Sequence, residues 1–159
     1  MGPRLVVNVL RFLLIGVVGV IAVVQAVFLP WLSGEMATNL PGEAYMRWPI
    51  LALAILGLLC VQIAIVCTLR LLGFTQDGRV FTPAAFRWVH GLIASFIGAA
   101  LVCLATIVYQ SQTVGGPPLW MLALWGGVMT GVALALLTWT MRALLAQAIT
   151  LGTDMEMVI

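Results

Sequence analysis

The longest stretch of this chain without a formal charge runs between Arg87 and Arg142 and is fifty-four residues long. As one helix it would extend roughly 80 Å at about 1.5 Å per residue, far more than the ~30 Å of hydrocarbon in a bilayer. It must therefore fold back. The turn is legible at Gln110-Ser111-Gln112-Thr113-Val114-Gly115-Gly116-Pro117-Pro118, where polar side chains, glycines and prolines without an amide donor oppose helix continuation. Two further uncharged runs, twenty-three residues between Arg11 and Glu35 and twenty-two between Arg47 and Arg70, each match the roughly 20 residues of one crossing. Amides in hydrocarbon find no water, so each run must pair its own backbone as a helix. The pattern predicts an all-α integral membrane protein, a four-transmembrane-helix bundle. Its spans lie near 12–32, 48–70, 84–109 and 119–142 of a single membrane domain, 1–159, with a short tail over 143–159.

Composition excludes the alternatives. The chain is 64% hydrophobic and 8% charged with a mean hydropathy of +1.19, whereas a soluble domain is about half apolar and a quarter charged. A net charge of +2 spread along the sequence cannot form the basic face that nucleic acid requires, so no direct nucleic-acid binding is expected. Cys60, Cys67 and Cys103 all fall inside apolar runs, where they act as small hydrophobes rather than as a disulfide framework.

The arginines predict orientation. Arg4 and Arg11 precede the first span, Arg70, Arg79 and Arg87 surround the central loop, and Arg142 follows the fourth, leaving Arg47 alone at the other side. By the positive-inside rule both termini and the central loop are cytoplasmic. Trp31, Tyr45, Trp48, Tyr109 and Trp120 then fall at outer ends and Trp88 and Trp139 at inner ends, the headgroup levels such residues favour. A competing reading of the N-terminus, a secretory signal cleaved after Val24-Gln25-Ala26, would leave the other three spans in place.

Inside the spans there is little chemistry to assign. No ionisable residue lies near a span centre, where such groups mark ion, proton or substrate pathways. His90, the single histidine, is expected near the headgroups. No catalytic residue, cofactor or metal site is predicted. Gln25 and Gln62 should point inward and hydrogen-bond to a neighbouring helix. Small residues recur every fourth position at Gly91, Ser95 and Ala99 and at Gly127, Gly131 and Ala135. They let helix backbones approach closely, as seams within the chain or, at Gly127 and Gly131, as a homodimer interface.

The central loop carries the clearest local signals. Asp77-Gly78 suits a tight turn, Thr82-Pro83 reads as an N-cap and first helical residue, and Phe81 and Phe86 are spaced as a hydrophobic staple. The tail continues a helical pattern through Leu144, Leu145, Ala148 and Ile149, breaks at Gly152 and ends in Asp154-Met155-Glu156-Met157-Val158-Ile159. Phe74, Asp77, Gly78, Arg79, Phe81, Asp154 and Glu156 are the candidate partner-binding residues.

Gly78-Arg79-Val80-Phe81-Thr82-Pro83 between spans two and three, the four-helix spacing, and the closing Asp154-Met155-Glu156-Met157-Val158-Ile159 resemble the bacterial membrane family catalogued as domain of unknown function 2975, over nearly the whole chain. Family members often carry an asparagine shortly after the proline, where Ala84 and Ala85 stand here. The resemblance implies a bacterial cytoplasmic (inner) membrane protein without established activity, often encoded beside a helix-turn-helix regulator. A non-enzymatic protein is expected, with loop and tail engaging a cytoplasmic regulator or another membrane protein beside the lipid bilayer. The alternative is a small transporter or immunity-type protein handling an apolar compound or peptide. A cavity beside Gln25 and Gln62 would distinguish it.

Overall fold

The computed structural model describes residues 3–39, 41–76, 83–113 and 118–158, and among these there are helices and no strand. Helix α1 (Pro3–Val23) passes through a π-helical turn (Val24–Phe28) into α2 (Leu29–Asn39). A 3-10 turn (Pro41–Met46) leads to α3 (Arg47–Gln76), followed by α4 (Pro83–Thr113) and α5 (Pro118–Met157). Four continuous stretches, Arg4–Asn39, Ala44–Gln76, Pro83–Thr113 and Pro118–Met157, are long and apolar enough to cross a membrane.

Proline explains several boundaries. Both α4 and α5 open on one, where the missing amide would be unpaired in any case. Pro30, inside the first stretch, can donate nothing to the preceding turn, and its ring crowds the carbonyl of Ala26. The backbone widens there, with the Leu29 amide reaching back to the Val24 carbonyl, and helix resumes without a kink-and-break.

Two of the expected boundaries are corrected. Gln110-Ser111-Gln112-Thr113 does not end α4 but belongs to its last turn. Ser111 and Thr113 donate their hydroxyls to the Val108 and Tyr109 carbonyls, so these polar residues satisfy themselves within helix. Nor does the chain break at Gly152, which lies within the 40-residue α5. One interior glycine costs only about 1 kcal/mol relative to alanine, too little to stop a helix with good formers before it. The Asp77-Gly78 turn, the Thr82 cap and the Phe81 half of the staple lie outside the described residues.

The bundle is uneven. α4 lies between α3 and α5 and packs closely on both, while α1 rests more loosely on α3 and none of its described residues is buried. The buried residues of α4, among them Ala85, Ile93, Ser95, Ala100 and Ile107, form the centre, with Ala64 and Cys67 from α3 and Ala135 from α5. Ser95 and Thr106 satisfy their buried hydroxyls on the Leu92 and Val102 carbonyls of their own helix. Large apolar side chains such as Phe12, Leu119 and Leu122 point outward, as a lipid-facing surface requires.

Candidate functional site

The two seams that hold α4 are built from glycine opposite cysteine. A Cβ placed on Gly91 would stand 3.0 Å from the Cys67 sulfur, and one on Gly98 would stand 3.2 Å from that of Cys60. Seven residues along α3 match seven residues back along α4, the register of an antiparallel pair. Across the second seam a Cβ on Gly127 would stand 3.0 Å from the Cys103 sulfur, and one on Gly131 would stand 3.0 Å from both the Ala100 Cβ and the Phe96 carbonyl oxygen. Lipid tails are as apolar as leucine, so close backbone approach and dispersion, rather than the hydrophobic effect, hold such seams together. Ser95 is buried within α4, Ala135 is buried on α5, and Ala99 is half-buried. The Gly127/Gly131 face is thus occupied by α4 of the same chain.

Gly98 lies off the Gly91-Ser95-Ala99 line, and its partner signal is the seven-residue spacing of Gly91 and Gly98 mirrored in Cys60 and Cys67. A prediction follows at the second seam. Gly127→Ala should cost about 1–2 kcal/mol by overpacking, because the new methyl meets a sulfur. Adding Cys103→Ala removes that atom, so the double variant should melt within about 1 °C of Cys103→Ala alone, a coupling characteristic of contacting residues. Additive losses in detergent thermal melts would contradict the contact.

At one end of the bundle three helices converge. The Arg70 guanidinium of α3 lies 5.6 Å from the centre of the Trp88 ring, and the Arg142 guanidinium of α5 lies 5.8 Å from that of Phe86. Such stacking holds the cations in place while leaving their outward edge for water or phosphate. Arg142 also approaches His90 Nε2 at 3.3 Å. In that contact only the guanidinium can donate.

Beside the Arg142–Phe86 stack lies an apolar cleft of about 150 Å³. Leu71, Phe74 and Thr75 of α3 form one wall, Ala85, Phe86 and Val89 of α4 the floor, and Leu145 of α5 the edge. Thr75 gives its hydroxyl to the Leu71 carbonyl at 3.0 Å, so the wall it contributes presents mostly carbon. The α3 wall of the cleft belongs to the last turns of that helix and the α4 floor to the first turns of its own. Of the candidate partner-binding residues, Phe74 lines it. Asp77, Gly78, Arg79 and Phe81 lie outside the described residues. Asp154 and Glu156 are exposed on the last turns of α5, about 18 and 21 Å along the axis from Arg142 at ~1.5 Å per residue, and are not brought to Phe74 within one chain. The cleft itself has no sequence signature, since its walls come from three helices.

The intramembrane amides separate. Gln25, at the π-helical turn, donates to the Ile55 carbonyl of α3 at 3.2 Å and ties α1 to the rest. Gln62 is half-buried and lies elsewhere. A second groove, about 240 Å³ in volume, runs between Leu14 of α1 and the α3–α4 pair, lined by Cys60, Ala64, Ser95, Phe96 and Ala99 among others. Neither glutamine lines it. At the opposite end of the bundle Arg47 donates to the Ser33 hydroxyl at 3.1 Å and stacks on Trp48, while Trp120 donates to the Gln110 amide oxygen at 3.0 Å. Among the described residues, no three His, Cys, Asp or Glu side chains gather as a metal site would require.

The sequence model of the family described as Protein of unknown function (DUF2975) matches residues 31–159. The chain belongs to this family. The match is shorter than the near-complete coverage expected, because it begins at Trp31 and leaves α1 and the π-helical turn outside. It takes in all of α3, α4 and α5, the three closely packed helices, together with the cleft. No curated protein and no solved structure matches the chain.

Proposed function

We propose that this chain is a non-enzymatic, partner-binding protein of the bacterial cytoplasmic membrane, and that its binding end is the one carrying Arg70, Arg87 and Arg142. The observation that carries this reading is the apolar cleft lined by Phe74, Phe86 and Leu145, among the last turns of α3 and the first turns of α4. An apolar recess with the Arg142 guanidinium over its Phe86 ring suits a protein segment that is apolar with an acidic neighbour. The positive-inside bias supports a cytoplasmic position for that end, where a soluble regulator or the cytoplasmic part of another membrane protein would meet it. The sequence assigns the loop residues Asp77, Arg79 and Phe81 to the same partner.

The test uses a photoreactive residue in place of Phe74 in native membranes, with the same residue at Ser111 on the opposite end as control. A specific adduct at position 74 is expected, weakened at least tenfold, or about 1.4 kcal/mol, by Asp77→Ala, Arg79→Ala and Phe81→Ala combined. Adducts indifferent to those three changes, or equal at positions 74 and 111, refute the reading. The groove beside Leu14 supports a second reading, in which an apolar compound is held between α1 and α3–α4. In that case a brominated alkyl probe should quench tryptophan fluorescence saturably, and Ala64→Phe should abolish the saturation.

A further inference from the structure

Helix α5 runs fifteen residues past Arg142 to Met157, about 22 Å at ~1.5 Å per residue. Its line of contact with α4 passes through Gly127, Gly131 and Ala135 and reaches Arg142 beside His90. On the far side of α5 a different line can be traced. Leu137, Met141, Leu144, Ala148, Leu151, Met155 and Val158 follow one another at alternating intervals of four and three. All are exposed, and the six large ones are each more than half exposed.

We propose that this stripe is a homodimer seam, along which α5 of one copy pairs in parallel with α5 of a second copy as a two-stranded coiled coil. An apolar repeat averaging 3.5 residues keeps one narrow line facing a partner helix that supercoils with it, whereas a helix lying on a lipid surface needs a broad face of period 3.6. Copies of one chain inserted in the same orientation can bring α5 together only in parallel, the arrangement this repeat serves. The six large side chains offer apolar surface on the order of the ~800 Å² that each partner gives to a standard interface.

Charge agrees with the pairing. Gln147, Thr150 and Thr153 lie off the stripe, and the charged residue adjoining it in the protruding part is Asp154. In a parallel pair a residue at that flanking position faces one five places further along the partner, so Asp154 does not oppose its own copy. The seam begins within the span and continues past it. Only the protruding half, from Leu144 onward, gains by leaving water. The inference shares no residue with the partner cleft, so either can fail alone.

Single cysteines placed by Leu151→Cys or Thr153→Cys test it in native membranes under mild oxidation, with the unaltered chain as control. In a parallel in-register pair the two sulfurs at 151 come within bridging reach, while those at 153 point away. Most of the Leu151→Cys chain should migrate as a disulfide-linked dimer, at least fivefold more than the Thr153→Cys chain. Leu144→Glu with Leu151→Glu should halve the mass of the purified protein in mild detergent at unchanged helix content. Equal crosslinking at 151 and 153, a monomeric mass for the unaltered chain, or an adduct at 151 to a protein of different size would overturn the proposal.

Discussion

Replacing Gly131 by leucine should remove most of the folded protein, whereas the same change at Gly126, five residues earlier in the same helix, should be tolerated. The contrast rests on what each position faces. A Cβ on Gly131 would meet the Ala100 Cβ and the Phe96 carbonyl oxygen at 3.0 Å, while one on Gly126 meets nothing within 4 Å. A flexible side chain can swing aside, but a carbonyl fixed in the middle of α4 cannot. The extra carbons of leucine must therefore drive α5 away from α4 along the seam. Overpacking of this kind costs about 1–3 kcal/mol when the surroundings can adjust and more when they cannot, set against a total stability of about 5–15 kcal/mol. At Gly126 leucine instead gains the better helix propensity, just under about 1 kcal/mol. Yield of monodisperse protein and thermal midpoint in one detergent measure both. Comparable losses at 126 and 131 would show that α5 does not rest on α4 through this line.

Much of this architecture was legible because the membrane simplifies the code. Uncharged runs of fixed length located the spans, although the helices overrun them, since a run between charges marks hydrocarbon and says nothing of where helix ends outside it. Ser111 and Thr113 stay helical by bonding backward, and Gly152 lies in a helix too well supported on its N-terminal side to stop there. Gly127 and Gly131 were readable as a packing line, but which helix meets it depends on the antiparallel register of α4 and α5, a tertiary fact. The same holds for Gly98, whose partner Cys60 lies on another helix. The cleft at Phe74 was invisible for a stronger reason. Leu71, Phe86 and Leu145 are unremarkable positions in three separate apolar helices, and only their convergence makes a recess. The Gln25 amide was expected to point inward, and it does, at the widened turn that Pro30 imposes.

A sidedness experiment should give an all-or-none result. With Gln76→Cys, at the exposed end of α3, a membrane-impermeant maleimide added to intact cells should leave the protein unlabelled until the membrane is permeabilised. With Ser111→Cys, exposed on the last turn of α4, the same reagent should label it at once. Cys60 and Cys103 are half-buried and Cys67 is buried, all within apolar helix, so a polar reagent has no path to them. The sign follows from the arginines. Along the sequence Arg4, Arg11, Arg70, Arg79, Arg87 and Arg142 flank the ends that the positive-inside rule assigns to one side, and Arg47 the other, and translocating short arginine-bearing loops is what the insertion machinery resists. The stacking of Arg70 on Trp88 and Arg142 on Phe86 keeps two of these charges at the end that carries the cleft. Labelling of Gln76→Cys from outside would put that cleft and the protruding part of α5 beyond reach of any cytoplasmic partner. The coiled-coil pairing of α5 could survive such an inversion, because two copies inverted together are still parallel, so the same measurement separates the two proposals.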